Sequence, residues 1–249
     1  MPELSAPAWT LMAIAALLVG VSKTALPGSN TISVAIFAAL LPAKESTGAL
    51  LVLLIVGDVF AVFAYRRHAN WQALRRLVPT VIAGLVAGAL FLAFASDAGV
   101  RRVIGVILLV VIAMTLVRRY AGRSTAQSAG KRREHLQAGI YGTLGGFTTM
   151  VANAAGPVMS MYFLASRFSV KTFLGTAAWF YAVVNLVKVP FSVGLGLITE
   201  QTLLLNAVLV PAVVVGALAG RALVSTMNQT LFDRLIILLT VVGALYLLF

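Results

Sequence analysis

Residues 11–30 read LMAIAALLVGVSKTALPGSN. The stretch starts as an unbroken apolar run, sets a lysine, Lys23, near its end and closes on Pro27 and Gly28. An ammonium group in a bilayer needs a counter-charge, a wet cavity or a function. Proline removes a backbone donor and glycine relaxes the chain, so a helix ends here. The next apolar run stops at Leu41. Leu11 to Leu41 covers about 31 residues, too few for two full crossings at roughly 20 residues each. The spacing predicts one membrane helix followed by a short, broken or re-entrant one.

The rest of the chain has the same character. Its 249 residues are 61% hydrophobic and 10% charged, with a mean hydropathy of +1.01. A soluble domain carries roughly 25% charged residues. Apolar stretches longer than about 18 residues recur along the chain without the period-two alternation of barrel strands, so the fold class is an all-α membrane protein. With Glu3 and no basic leading segment, the first apolar run is expected to be a span rather than a cleaved signal. The absence of cysteine excludes disulfides, thiolate metal sites and a catalytic thiol.

The net charge of +12 does not point to nucleic acid as a partner. Ten of the nineteen Lys and Arg residues lie in two loops, Arg66 to Arg76 and Arg118 to Arg133. Charge placed on short loops between spans sets membrane topology.

Two segments match without a gap: KESTGALLVLLIVGD (Lys44 to Asp58) and KTFLGTAAWFYAVVN (Lys171 to Asn185). Lys44 pairs with Lys171, Gly48 with Gly175 and Asp58 with Asn185. Further on, Pro79, Gly84 and Gly88 match Pro211, Gly216 and Gly220 in spacing, and Arg102 matches Arg234. Upstream, the break from Gly20 to Gly28 corresponds to Gly145 to Pro157. The expected organisation is a first repeat at residues 1–118, a basic cytoplasmic linker at 119–134 and a second repeat at 135–249. Each repeat is expected to hold five elements: about Ala8–Leu26, Asn30–Leu41, Glu45–Tyr65, Leu74–Ala95 and Val100–Val117, then about Leu136–Ala152, Ala155–Ser166, Thr172–Phe191, Thr202–Val224 and Leu231–Leu248.

An odd number of elements turns the second repeat upside down. The loop after the third element carries Arg66, Arg67, Arg75 and Arg76 in the first half. Its counterpart, Val193 to Gln201, has no basic residue and carries Glu200. Basic loops stay in the cytoplasm. The two loops are therefore expected on opposite sides, with both termini outside. Gly84/Gly88 and Gly216/Gly220 have the small-xxx-small spacing that lets helices approach closely, within the monomer first and in a homodimer as the alternative.

Inverted repeats with interrupted helices are a transporter architecture, with the site at the midplane beside the breaks. The breaks here are SKTALPGSNT (Ser22 to Thr31) and GGFTTMVANAAGP (Gly145 to Pro157). Both mix Gly with Ser, Thr or Asn. Helices starting near Asn30 and Gly156 would point positive ends into the cavity, which favours an anion. Lys23 either binds that anion or snorkels to the surface. Asp58 is either a proton or sodium coupling site or the partner of a buried cation such as Lys23. Its mate, Asn185, is neutral, so coupling is one-sided. Lys188 shares a helix face with Asn185, as an accessory site residue or a cation snorkelling at the outer end. Trp179, Phe180 and Tyr181 read as packing or interface-belt residues. His68 and His135 sit in or beside basic loops, and no metal, cofactor or catalytic constellation is expected in the spans.

The two breaks, with LIVGD, AWFYAVVNLVKVP and YRRHANW around them, resemble the TauE/SafE family of sulfite and organosulfur-anion exporters. The likeness covers essentially the whole chain. It implies a multi-pass secondary transporter of the bacterial inner membrane, moving small anions such as sulfite or sulfonates, with export driven by the proton gradient. By this resemblance the substrate site draws on Lys23, Thr24, Gly28, Ser29 and Asn30 from the first break. From the second it draws on Thr148, Thr149, Asn153, Gly156 and Pro157. Many members carry a longer glycine run where Gly28-Ser29-Asn30 stands here. A passive anion channel and a carboxylate transporter of the same fold are the alternatives.

Overall fold

The computed structural model describes residues 5–100, 102–103, 106–107, 110, 131–166, 168–225, 227–228, 231, 234 and 238. All regular structure among them is helical. The expected fifth element of each half and residues 119–130 of the linker fall wholly or largely outside this set.

Helix α1 (Ala6–Thr24) ends just after Lys23, and a single 3-10 turn (Pro27–Ser29) leads into α2 (Asn30–Leu40). At 1.5 Å per residue α2 is about 16 Å long, roughly half a hydrocarbon core. Helix α3 (Ala43–Tyr65) then runs full length. After a short basic turn, Asn70 caps α4 (Trp71–Phe94) by accepting from the Ala73 amide at 3.0 Å. The second half repeats this order. A helix, α5 (Lys131–Ala152), breaks at Asn153 and restarts as the short α6 (Ala155–Ala165). The long helices α7 (Val170–Gly194) and α8 (Glu200–Ser225) follow. Helix α5 begins at Lys131, five residues before the expected Leu136, because the basic segment continues the helix beyond the apolar run.

Five of these helical stretches are long and apolar enough to cross a membrane: Ala6–Thr24, Ala43–His68, Trp71–Phe94, Val170–Gly194 and Glu200–Ser225. The side chains are distributed as a bilayer requires. Large apolar groups such as Phe63, Phe94 and Leu186 are exposed, while Lys23, Asp58, Asn153, Asn185 and Lys188 are buried. In lipid an ionisable group is kept on the inside of the bundle. The protein is a multi-pass membrane protein.

Helix packing is set by small residues. Helix α1 lies along α8, and α4 lies along α5. A side chain on Gly20 would collide with the backbone at Val213 and Ala217, and one on Gly216 with the backbone of Leu17. Gly84 and Gly146 are in the same position between α4 and α5. The glycine pairs noted in the sequence are thus used within the chain, where close approach supplies the dispersion contacts that hold helices together in lipid. The basic turn after α3 docks on α7. The Asn70 amide donates to Thr176 Oγ1 at 2.9 Å, and Trp179 Nε1 donates to the Arg66 carbonyl at 3.3 Å. This docking fixes α7 against α3.

Candidate functional site

The two helix breaks meet in the middle of the bundle. Asn30, the first residue of α2, donates its side-chain amide to the Asn153 carbonyl at 3.0 Å. Gly156 faces the first break so closely that a Cβ there would come 2.7 Å from the Pro27 carbonyl oxygen. Asn153 itself has φ of 53°, the left-handed conformation that asparagine adopts more readily than most residues. This conformation turns the chain from α5 into α6. Its side-chain amide donates to the Thr47 carbonyl on α3 at 2.8 Å. Asn153 therefore ties together both breaks and α3.

Five side chains from α1, α3 and α7 complete the site. The Lys23 ammonium lies 2.6 Å from Asp58 Oδ1. Asn185 donates its amide to Asp58 Oδ2 at 2.6 Å. Lys23 also stands over the Tyr181 ring, 4.5 Å from its centroid, in cation–π geometry. Lys188 donates to the Thr149 carbonyl at 2.6 Å and to Asn153 Oδ1 at 2.5 Å. The ring of Tyr181 and the side chains of Asn185 and Lys188 are spaced at i, i+4 and i+7 along α7, so one helix face delivers all three. Breaking a buried ion pair typically costs about 3–5 kcal/mol, because the remaining charge is stranded. Lys23 and Asp58 are therefore held together as a unit.

These groups surround a cavity of about 20 Å³, lined from the first break by Ser22, Lys23, Pro27 and Asn30 and from the second by Thr149, Asn153 and Gly156. Helices α3 and α7 close it with Leu54, Asp58, Ala177, Ala178, Tyr181 and Asn185. A water needs about 10–15 Å³ by this measure, so the cavity has room for a water and not for a larger solute. Three polar atoms of its lining have no hydrogen-bond partner among the described residues: Asn30 Oδ1, the Tyr181 hydroxyl and Asn185 Oδ1. Unpaired buried polar groups are rare and call for an explanation. Here they lie around one polar cavity that also holds the paired Lys23 and Asp58.

A family model described as the sulfite exporter TauE/SafE matches residues 12–247. The chain belongs to the TauE/SafE family. No curated protein and no solved structure matches it. The match spans both breaks and both halves, so in this TauE/SafE protein the cavity lies inside the part that defines the family.

The structure brings together most of the residues singled out in the sequence. Lys23, Asn30, Thr149, Asn153, Gly156, Asp58 and Asn185 line the cavity, and Lys188 bonds two of them. Three others are used to build the fold. Thr24 donates its hydroxyl to the Ala217 carbonyl at 2.8 Å, Ser29 to Leu26 at 2.9 Å and Thr148 to Gly145 at 3.3 Å. Gly28 and Pro157 belong to the two breaks through their backbones, and their surroundings lie outside what the structure describes.

Both lysines depart from the snorkelling alternative. Lys188 is 0% exposed and Lys23 is 9% exposed. The second break carries acceptors, the Thr149 carbonyl and Asn153 Oδ1, to the Lys188 ammonium, so the side chain has no need to reach the surface. Tyr181, which the sequence suggests as a packing or interface-belt residue, lines the cavity, and its buried hydroxyl has no partner among the described residues. Its spacing from Asn185 is the signal that could have placed it.

Proposed function

We propose that this protein is a secondary transporter of small anions, with export of sulfite or organosulfonates as its reaction, coupled to protons through Asp58. The observation that carries the reading is the cavity itself. Lys23 and Asp58 converge there with unpaired hydrogen-bonding groups, between two helix breaks, and Lys188 bonds two of the lining residues. Lys23 binds the anionic group, Tyr181 and Asn30 contact it, and Asn153 with Lys188 holds the second break in register. The sulfur chemistry rests on the family alone.

An inverted repeat accounts for the architecture. The packing is reciprocal: α1 lies on α8 as α5 lies on α4, which is what exchange of the two halves would produce. Asp58 and Asn185, matched in the sequence, contact each other. Access alternates as the halves move around this shared centre, as in other transporters with broken helices. The repeats are residues 1–118 and 135–249, with the basic loops cytoplasmic, in the bacterial inner membrane.

The test is flux of sulfite, sulfoacetate and a simple sulfonate monoanion into proteoliposomes, near neutral pH where part of the sulfite carries a single charge, with small carboxylates as competitors. Flux of the sulfur anions that carboxylates fail to inhibit supports the reading. Flux inhibited strongly by carboxylates reassigns the substrate, and absence of flux in folded protein overturns the transporter assignment.

A further inference from the structure

We infer that the site loads one proton together with one monoanion, so that the two cross the membrane in the same direction. The inference rests on the anion-transport reading above and specifies its coupling.

The geometry imposes the order. Asp58 Oδ1 occupies the Lys23 ammonium at 2.6 Å, and the cavity beside them is about 20 Å³. An oxyanion needs several times the space of one water. An anion that binds the Lys23 ammonium in this arrangement takes the place of the Asp58 carboxylate. If Asp58 stayed charged, two negative groups would share a buried site with one ammonium between them. Like charges at such a distance repel strongly when water is excluded. A proton on Asp58 removes that repulsion and frees Lys23.

A place for the proton exists. Asn185 Nδ2 donates to Asp58 Oδ2, while Asn185 Oδ1 is buried and has no partner among the described residues. After a half-turn of the amide, Oδ1 accepts a hydrogen bond from a protonated Asp58. Asparagine offers both a donor and an acceptor, so Asn185 serves either protonation state. An acidic residue at this position would serve only one of them well. The surroundings supply few rivals for the proton. Helix α1 presents Lys23, and α7 presents Tyr181, Asn185 and Lys188. The second break presents Thr149 and Asn153, and α2 begins with Asn30. Helix α8 packs on α3 with Val213 beside Gly57 and carries no ionisable residue from Gln201 to Gly220.

Charge balance then selects the ligand class. The proton cancels Asp58 and the monoanion cancels Lys23, so the charge carried by this pair and its ligand is the same before and after loading. Net transport is electroneutral, and its direction follows the product of proton and anion concentrations. An acidic exterior drives the anion inward, and export proceeds only down a steeper anion gradient. This departs from the expectation that the proton gradient drives export.

The experiment uses the full chain in proteoliposomes with methanesulfonate, a monoanion that carries no titratable proton, and a pH-sensitive dye in the lumen. Membrane potential is clamped. The expected result is lumen acidification on uptake, with about tenfold accumulation for each pH unit of external acidity, since one unit is a tenfold ratio. Lumen alkalinisation on uptake, or accumulation unaffected by the gradient, overturns the inference while leaving anion transport intact. Absence of sulfonate and sulfite flux overturns the reading beneath it. In Asp58→Asn, compared at matched amounts of folded protein, whatever sulfonate still exchanges across the membrane does so without moving the lumen pH. Proton movement persisting in that variant overturns the assignment to Asp58.

Discussion

Asn185 donates its side-chain amide to the Asp58 carboxylate at 2.6 Å, and the two residues hold matching places in the segments Lys44–Asp58 and Lys171–Asn185. The contact joins the two halves of the chain at their centre. It also places the neutral member of the pair where it can stabilise the ionised one. Lys23 completes the group from α1, so the site depends on both halves packing correctly.

Removing the ammonium strands the carboxylate. Lys23→Gln leaves Asp58, 2% exposed, without its counter-charge and is expected to destabilise the fold by about 3–5 kcal/mol. The double variant Lys23→Gln with Asp58→Asn recovers most of that loss and none of the anion flux. Melting in detergent and flux in proteoliposomes separate the two effects. Flux returning in the double variant would remove Lys23 from the binding site.

Asn153 combines a conformational role with a bonding role. Its φ of 53° suits glycine, while alanine in that region costs about 1–2 kcal/mol. Asn153→Gly is therefore expected to be more stable than Asn153→Ala by about that amount. Both variants lose the acceptor for Lys188 and the donor to Thr47, so both lose transport. Equal melting temperatures for the two would show that the conformation at residue 153 is not held as described.

Close helix approach is open to a direct comparison. Gly20→Ala and Gly216→Ala force a methyl into the backbone of the facing helix and are expected to cost about 3 kcal/mol each. Gly139→Ala meets nothing within 4 Å and is expected to be neutral or to stabilise by up to about 1 kcal/mol, as alanine is the better helix former. Thermal melting of the three variants side by side is the check.

Much of this was legible in the sequence, for particular reasons. The short helix after the first break followed from Pro27, Gly28 and the brief apolar run beyond them, and α2 and α6 each have 11 residues. The glycine spacings forecast close packing, and the structure supplies the partners, α1 with α8 and α4 with α5. The sequence could not say whether Lys23 pairs with Asp58, since the two lie on different helices and only tertiary packing sets their distance. Lys188 was harder still. Counting residues from the cytoplasmic end put it near the outer surface, and nothing local reveals that a broken helix brings carbonyl and amide oxygens to it. Thr24, Ser29 and Thr148 show the converse. Hydroxyls beside a break look like ligands in a sequence, yet these three donate to backbone carbonyls, Thr24 and Thr148 within or between helices and Ser29 at the break itself.

Topology can be read chemically because the chain has no cysteine of its own. A single cysteine at the exposed position His68 or at the exposed position Glu200 gives a unique label site. With the second half inverted, His68→Cys is expected to react with an impermeant maleimide only after the membrane is opened. Glu200→Cys is expected to react in intact cells. Labelling of both from the same side contradicts the inversion.

The most direct test of the anion site is exchange of labelled methanesulfonate at equal pH on both sides, which isolates binding and passage from coupling. Wild type and Lys23→Gln are compared in proteoliposomes at matched amounts of folded protein, with the Lys23→Gln, Asp58→Asn double variant as the stable control. The expected result is rapid exchange in wild type and a loss of at least about a hundredfold in both variants, the scale of one charge-assisted contact worth nearly 3 kcal/mol. Exchange at wild-type rates in the folded double variant would contradict the placement of the anion at Lys23.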